Sequence, residues 1–115
     1  MSKANHSTAA RVEHCRRASR SLVNAILQAA ESGDAERVVV LTNLFRDFVR
    51  DGLSPLIQDA KNRVDPQSPE GEQLAAIHRQ ANADLSEVKN GIATGAVRDH
   101  RRVQDSLKQL EELAP

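Results

Sequence analysis

The sequence contains no tryptophan, no tyrosine and two phenylalanines in 115 residues. All-β sandwiches and barrels rely on aromatic and β-branched side chains, so this scarcity argues against an all-β fold. It also removes the aromatic platforms on which proteins stack nucleic-acid bases. The 16 basic and 16 acidic residues cancel, and zero net charge gives no electrostatic reason to bind nucleic acid. We therefore expect no nucleic-acid partner.

Cysteine and long apolar runs are also scarce. The single Cys15 excludes an internal disulfide and a multi-cysteine zinc site. It favours a reducing setting, cytosolic or nuclear, and we expect a cytoplasmic location. No apolar run exceeds four residues, as in Val38–Leu41, whereas a helix that crosses a bilayer needs about 20. No secretory signal is recognisable. We therefore expect a chain without an integral membrane segment.

The residues that are abundant favour helices. Alanine is the most frequent residue with 16 copies, and leucine, glutamate and arginine, which are also common, are good helix formers. Leucine, isoleucine, valine and phenylalanine together make up 27 of the 115 residues, which is enough for one small ordered core.

Apolar residues recur at spacings of three and four along four segments, which is the period of amphipathic helices. Gly33 is expected to end the first helix and Asp34 to cap the second, while Pro55 predicts a kink or a break within the second. We predict an all-α fold, an antiparallel four-helix bundle over residues 8–115 that follows a flexible segment 1–7. The apolar stripes run through Val12, Cys15, Ser19, Leu22 and Ile26 (helix one), Val38, Leu41, Phe45, Phe48 and Gly52 (helix two), Leu74, Ile77, Ala81, Leu85, Val88 and Ile92 (helix three), and Ala96, His100, Val103, Leu107, Leu110 and Ala114 (helix four).

The segment 69–114 has two interpretations. Its stripe passes through Gly91 and Gly95 in register, so a single helix about 68 Å long is conceivable. We favour a turn near 91–95, because folding the segment back buries the stripe. The other interpretation is a three-helix hairpin with a protruding arm that forms a dimer.

Residues for catalysis or metal binding are sparse. No two of the four histidines lie three or four residues apart, and none belongs to a Glu-x-x-His pair of the kind that di-iron bundles use. We predict no enzyme activity, no cofactor and no metal site. His100 is interpreted as a boundary histidine, with a metal or proton-switch role as the alternative. Cys15 is interpreted as a buried structural cysteine, with a reactive thiol beside Arg16 as the alternative.

Charge is distributed unevenly despite the zero total. Residues 1–33 carry a net charge of +3 and residues 67–93 a net charge of −2. Two arginine clusters are prominent. The ordinary explanation is that they lie on solvated helix faces and form ion pairs with neighbouring residues. The alternative is that they dock an acidic protein, lipid or polymer surface. The clusters are Arg16, Arg17 and Arg20 in helix one, and Arg98, Arg101 and Arg102 in helix four. The predicted partner-binding residues are Val12, Cys15, Leu22, Val23 and Ile26 together with Arg16, Arg17 and Arg20.

Several segments carry a resemblance to a known family. The stretches Leu22–Ala25 and Ala29–Val38, the triplet Phe45–Asp47 and the segment Glu70–Leu74 follow the order of the helical-bundle repeats of the vinculin/α-catenin superfamily, which the chain resembles over residues 10–112. The first helix is similar to the alanine-rich talin-rod helices that vinculin binds. The resemblance implies a non-catalytic adaptor domain that links adhesion or actin-cytoskeleton partners by helix-face docking or helix exchange.

The alternative hypothesis is a small bacterial or viral helical protein that acts as a dimeric chaperone, regulator or secreted effector. One continuous helix over 69–114 would favour it. The expected partner is a protein in either case, and a homodimer is left open.

Overall fold

The computed structural model describes residues 7–113, and no strand occurs among them. The prediction of an all-α chain is therefore confirmed for this part. The predicted flexible segment 1–7 falls, apart from Ser7, on residues outside the description. The helices are α1 (Thr8–Ser32), α2 (Ala35–Phe48), a π-helical segment (Val49–Leu53), α3 (Ser54–Arg63), α4 (Pro69–Thr94) and α5 (Arg101–Glu111).

Local side-chain caps define where three of these helices begin. Ser7, Asp34 and Ser68 each accept a hydrogen bond from the backbone N–H three residues further along, at 3.0, 3.1 and 3.0 Å. Such a bond satisfies one of the N–H groups that the first turn of a helix leaves without a partner. Gly33 closes α1 in the left-handed conformation, with φ of 79°. The predicted end of helix one at Gly33 and the predicted cap of helix two at Asp34 are confirmed.

The segment 69–114 is not one helix. Helix α4 continues through Gly91 and ends at Thr94, and α5 begins at Arg101. The turn between them contains backbone hydrogen bonds from Arg98 N to the Gly95 oxygen (3.3 Å) and from His100 N to the Val97 oxygen (3.0 Å). The chain therefore turns between α4 and α5, slightly later than the predicted 91–95. The alternative of one long helix that protrudes as an arm is wrong.

The helices surround a shared core. Helices α1 and α5 each contact both α2 and α4, and α3 contacts α1 and α4. In the contacts between α1 and α4, the residue numbers of both helices increase together. Ala9 N donates to Glu70 at 2.9 Å, and further along both helices Arg20 pairs with Glu87 at 2.6 Å. Helices α1 and α4 therefore run in the same direction.

The region before Pro55 is a π-helical segment. The backbone N–H of Ser54 donates to the Val49 oxygen five residues back, and Pro55 itself has no N–H to donate. Helical residues continue from Ala35 to Arg63 without a gap. The second helix is thus not interrupted here, and a bend of its axis stays a prediction.

The buried face of helix two differs from the predicted stripe. Val38 and Phe45 are buried as expected, but Leu41 and Phe48 are only half-buried. The shift arises because this helix contacts both α1 and α5, so its buried face points between two neighbours. Between Ala35 and Leu53, the buried residues are Val38, Val39, Thr42, Phe45, Val49 and Leu53.

The prediction that His100 and Ala96 belong to a core-facing stripe is wrong. Both are exposed, and His100 is the residue that immediately precedes α5. The turn after Thr94 interrupts the helical register, so the spacing from helix three no longer predicts which residues point inward. Val103 and Leu110 are buried as expected, and Ala114 lies outside the described residues.

Thr42 is a polar residue in the core. It is fully buried, and its Oγ1 has no hydrogen-bond partner in the part of the chain described. A buried hydroxyl without a partner carries an uncompensated desolvation penalty. We expect Thr42→Val to raise the free energy of unfolding by about 1 kcal/mol, measured by urea denaturation. The control Thr94→Val, at an exposed residue whose hydroxyl donates to the Asn90 oxygen, should give no gain, and an equal gain in both variants would contradict this explanation.

Candidate protein interface

The apolar residues predicted to bind a partner lie mostly inside the bundle. Val12, Val23 and Ile26 have no exposed surface, and Cys15 and Leu22 are half-buried against the same core. Helix α1 forms the stripe that the spacing predicted, but its own neighbours α2 and α4 cover it. A partner would reach these side chains only if α1 left the bundle.

Two arginines of the basic cluster of α1, Arg16 and Arg20, pair with helix α4. Arg16 and Arg20 each contact a different oxygen of Asp84 at 3.0 Å, and only 5% of the Asp84 side chain is exposed. Arg20 also pairs with Glu87 at 2.6 Å, and Arg16 with Glu13 at 2.7 Å. We call these five residues the α1–α4 ion-pair cluster. The basic first third and the acidic third helix therefore meet in one interface.

Arg17 is the exposed member of the predicted basic residues. Its side chain is 75% exposed and pairs with Glu13 at 3.2 Å. The side chains of Arg16 and Arg20 are 14% and 35% exposed. Of the three arginines, Arg17 is thus the one most accessible to a partner while the bundle is closed.

Glu13 and Glu87, two members of the ion-pair cluster, are held ionised. The hydrogen bond from Arg16 lowers the pKa of Glu13, and the hydrogen bond from Arg20 lowers the pKa of Glu87. A hydrogen bond to a carboxylate favours its charged form. The folded state therefore binds protons at these two sites less readily than the unfolded chain.

This difference predicts acid sensitivity. Because both pKa values are lower in the folded state, the stabilisation is present above the pKa of the unfolded chain and is lost as pH falls through the folded pKa. We expect the free energy of unfolding to decrease as pH drops below about 4.3. Urea denaturation at a series of pH values measures this, and Glu87→Gln should make the decrease shallower. An unchanged slope in that variant would exclude Glu87 as a contributor.

Cys15 and the histidines do not assemble into a reactive site. Burial raises the pKa of the Cys15 thiol, which disfavours the nucleophilic thiolate. Across residues 7–113, no group of three or more histidine, cysteine, aspartate or glutamate side chains is arranged to hold a metal ion. His100 lies at the surface, at the start of α5.

An apolar face of α2 points outward. Val40 and Leu44, each 53% exposed, are the exposed large hydrophobic residues of the described part. They lie one turn apart, and Arg37 and Asp47 flank them along the same side of the helix. We call Arg37, Val40, Leu44 and Asp47 the α2 outer face. The sequence carries one signal for it: Val39, Val40, Leu44 and Val49 lie beside the predicted stripe of helix two and make its apolar surface unusually broad.

A second surface feature is the arginine cluster at the start of α5. Arg98, Arg101 and Arg102 are exposed, and none takes part in an ion pair within the described structure. Arg98 donates instead to the Gly95 oxygen at 3.1 Å. The cluster is therefore a basic surface, in contrast to the arginines of α1.

A cleft of about 720 Å³ lies between the second helix and α5. Its two arginines are engaged locally, since Arg46 pairs with Asp47 at 3.0 Å and Arg50 pairs with Asp51 at 2.9 Å. The cleft thus presents paired charges. Its lining residues are Arg46, Arg50, Ser54, Gln109, Glu112 and Leu113.

The chain is an all-helical protein whose most distinctive surface is an apolar helix face. No protein-family model, no curated protein and no solved structure matches it. Within residues 7–113, no helix has the length and apolar character needed to cross a membrane.

Proposed function

We propose that the protein is a non-catalytic interaction module that docks a helix of another polypeptide chain on the α2 outer face. The supporting observation is that Val40 and Leu44, each 53% exposed, lie one helical turn apart. Helices bind one another through residues three and four positions apart that fill a groove on the partner. An exposed pair with this spacing is therefore suited to a helical partner.

The energetics of such docking are modest. Covering the exposed half of each side chain would contribute about 1 kcal/mol per residue. Leu41 and Phe48 are half-buried on the same helix and would add apolar area at the edge of the contact. Arg37 and Asp47 would set the orientation of the partner through their opposite charges.

The proposal includes the arrangement of the bundle. We propose that successive helices alternate in direction and that the second helix bends at the π-helical segment. Two observations support this: α1 and α4 run in the same direction, and α5 contacts both α2 and α4 while α3 contacts α4 directly. A bend before Pro55 would move α2 away from α4 and make room for α5.

The more particular proposal is an adaptor of the vinculin/α-catenin type, in the cytoplasm, that links adhesion or actin-cytoskeleton partners. It is supported by the resemblance of the helix order and of the Glu70–Leu74 segment. Of the predicted α1 residues, Val12, Val23 and Ile26 would contribute only by helix exchange, because they are buried. Exchange would have to break the ion pairs of Arg16 and Arg20 with Asp84.

Binding assays test this proposal. We expect the wild-type protein to retain at least one of purified vinculin, catenin and talin fragments in pull-downs, or to co-sediment with filamentous actin. Leu44→Glu should weaken that binding about tenfold or more, because it places a charge in the apolar contact. The matched control is Asn82→Glu, which adds the same charge on an exposed position of α4 and should bind normally. Failure to bind any of these proteins would overturn the adhesion and actin proposal.

The alternative function, a small dimeric chaperone, regulator or secreted effector, lacks one observation that would favour it. One continuous helix over 69–114 would be that observation, whereas α4 ends at Thr94 and α5 begins at Arg101. A dimer built by exchanging that long helix has no support from these helices.

A further inference from the structure

Resting on the proposed docking function of the α2 outer face, we propose that its occupant is the same face of a second copy of this chain. The two α2 helices would pack in opposite directions about a two-fold axis. Such an interface uses one patch on both subunits, so the patch must be complementary to itself.

The spacing of the α2 outer face meets this condition. Val40 and Leu44 are centred on position 42, and Arg37 and Asp47 are centred on the same position. A two-fold axis at that position places Val40 opposite Leu44 of the second copy. It also places Arg37 at the same level along the helix as Asp47 of the second copy, about 15 Å from the equivalent pair at the other end.

The charges favour the antiparallel orientation. Arg37 is exposed and belongs to no ion pair among the residues described. The Asp47 side chain is 47% exposed, and its contacts with Arg46 and Arg50 both use Oδ1. An arginine of a second copy would approach this carboxylate from its exposed side. A parallel arrangement would instead bring the two Arg37 side chains together and the two Asp47 side chains together.

The expected dimer is weak and depends on concentration. A single helix face of this length covers less than the roughly 800 Å² per partner of standard interfaces. Affinity in the micromolar range is therefore expected rather than an obligate dimer. A dimer of this kind would carry two copies of every other surface, including the α5 arginine cluster, which suits a protein that links partners.

Sedimentation velocity over protein concentrations from about 1 µM to about 1 mM tests the inference. We expect the wild-type protein to pass from monomer to dimer in this range. Leu44→Glu should raise the dimer dissociation constant about tenfold or more, while the control Asn82→Glu should leave it unchanged. Circular dichroism verifies that both variants keep the wild-type helix content.

Charge reversal tests the orientation. Arg37→Asp and Asp47→Arg should each raise the dimer dissociation constant about fivefold. The double variant should recover most of the lost affinity, because it restores opposite charges at the two positions; such a double-mutant cycle isolates the coupling between two groups.

Two results would overturn the second-copy inference: a protein that stays monomeric at all concentrations, or a dimer whose dissociation constant is unchanged by Leu44→Glu. If a monomeric wild type still binds a cytoskeletal partner in a way that Leu44→Glu abolishes, the proposed docking function stands with a different occupant. Absence of both kinds of binding overturns both proposals.

Discussion

Replacing Asp84 with alanine is expected to lower the free energy of unfolding by about 3 kcal/mol. Asp84 accepts from Arg16 and Arg20, each at 3.0 Å, and its side chain is 5% exposed. Removing the carboxylate leaves Arg16, itself only 14% exposed, with a positive charge that is poorly solvated. Breaking a buried pair by deleting one partner is strongly destabilising for this reason.

The expected effect lies at the lower end of the range for buried pairs. Arg16 retains Glu13, and Arg20 retains Glu87 and is 35% exposed. Water and these remaining carboxylates compensate part of the loss. Urea denaturation followed by circular dichroism measures the change.

The matched control for Asp84→Ala is Arg17→Ala. Arg17 is 75% exposed and forms a surface pair with Glu13, and such pairs contribute between about 0 and 1 kcal/mol. A loss for Asp84→Ala no larger than the loss for Arg17→Ala would show that the α1–α4 ion-pair cluster contributes little to the fold.

Replacing Gly71 with alanine is expected to lower the free energy of unfolding by about 2 kcal/mol or more. Gly71 is buried in the first turn of α4, where the preceding loop passes over it. A methyl group built at this position overlaps the Asp65 carbonyl oxygen and lies 2.8 Å from the Pro66 backbone. Backbone atoms cannot move aside as the end of a flexible side chain can, so the loop must shift.

The loop over Gly71 has little freedom to make that shift. Ser68 N and Ser68 Oγ both donate to the Asp65 oxygen, at 3.0 and 2.6 Å, and Gln67 N donates to Asp65 Oδ1 at 3.0 Å. Moving the Asp65 carbonyl would distort these bonds together with the Ser68 cap of α4.

Gly52→Ala is the control for Gly71→Ala. Apart from its chain neighbours and the backbone of its own helix, no atom lies within 4 Å of a methyl group added at Gly52, and alanine is more favourable than glycine in a helix by up to about 1 kcal/mol. We expect Gly52→Ala to be neutral or stabilising in thermal and urea denaturation. Similar losses in both variants would exclude the close approach of the loop as the cause.

Much of the helix layout is predictable from short stretches of sequence. Gly33, Asp34 and Ser68 mark helix ends through bonds that reach only a few residues along the chain. Such bonds depend on local residue identity, so a pattern of cap and periodic apolar residues identifies them. The Glu70–Leu74 segment is part of the resemblance to the vinculin/α-catenin repeats. The structure gives a physical reason for the glycine of this segment, Gly71, because the preceding loop packs directly against it.

The register of helix two and the role of Asp84 were not predictable in the same way. The predicted stripe through Leu41 and Phe48 has the period of a helix. The period alone, however, does not reveal that α2 contacts two neighbouring helices, and this contact sets which residues are buried. Asp84 lies next to Leu85 on the buried side of α4. The opposite net charges of residues 1–33 and 67–93 are consistent with contact between the two helices, but they do not identify Asp84 as the partner of Arg16 and Arg20.

The sequence by itself determined that the chain is helical, where most of its helices begin and end, and that the first helix has one apolar stripe. These properties depend on neighbours within about four residues. Tertiary structure alone decided that the apolar residues of α1 are buried and that Val40 and Leu44 are exposed. It also decided that Arg16 and Arg20 meet Asp84 across 68 and 64 positions of sequence. Such contacts depend on which helices pack together, and a helical period carries no information about that choice.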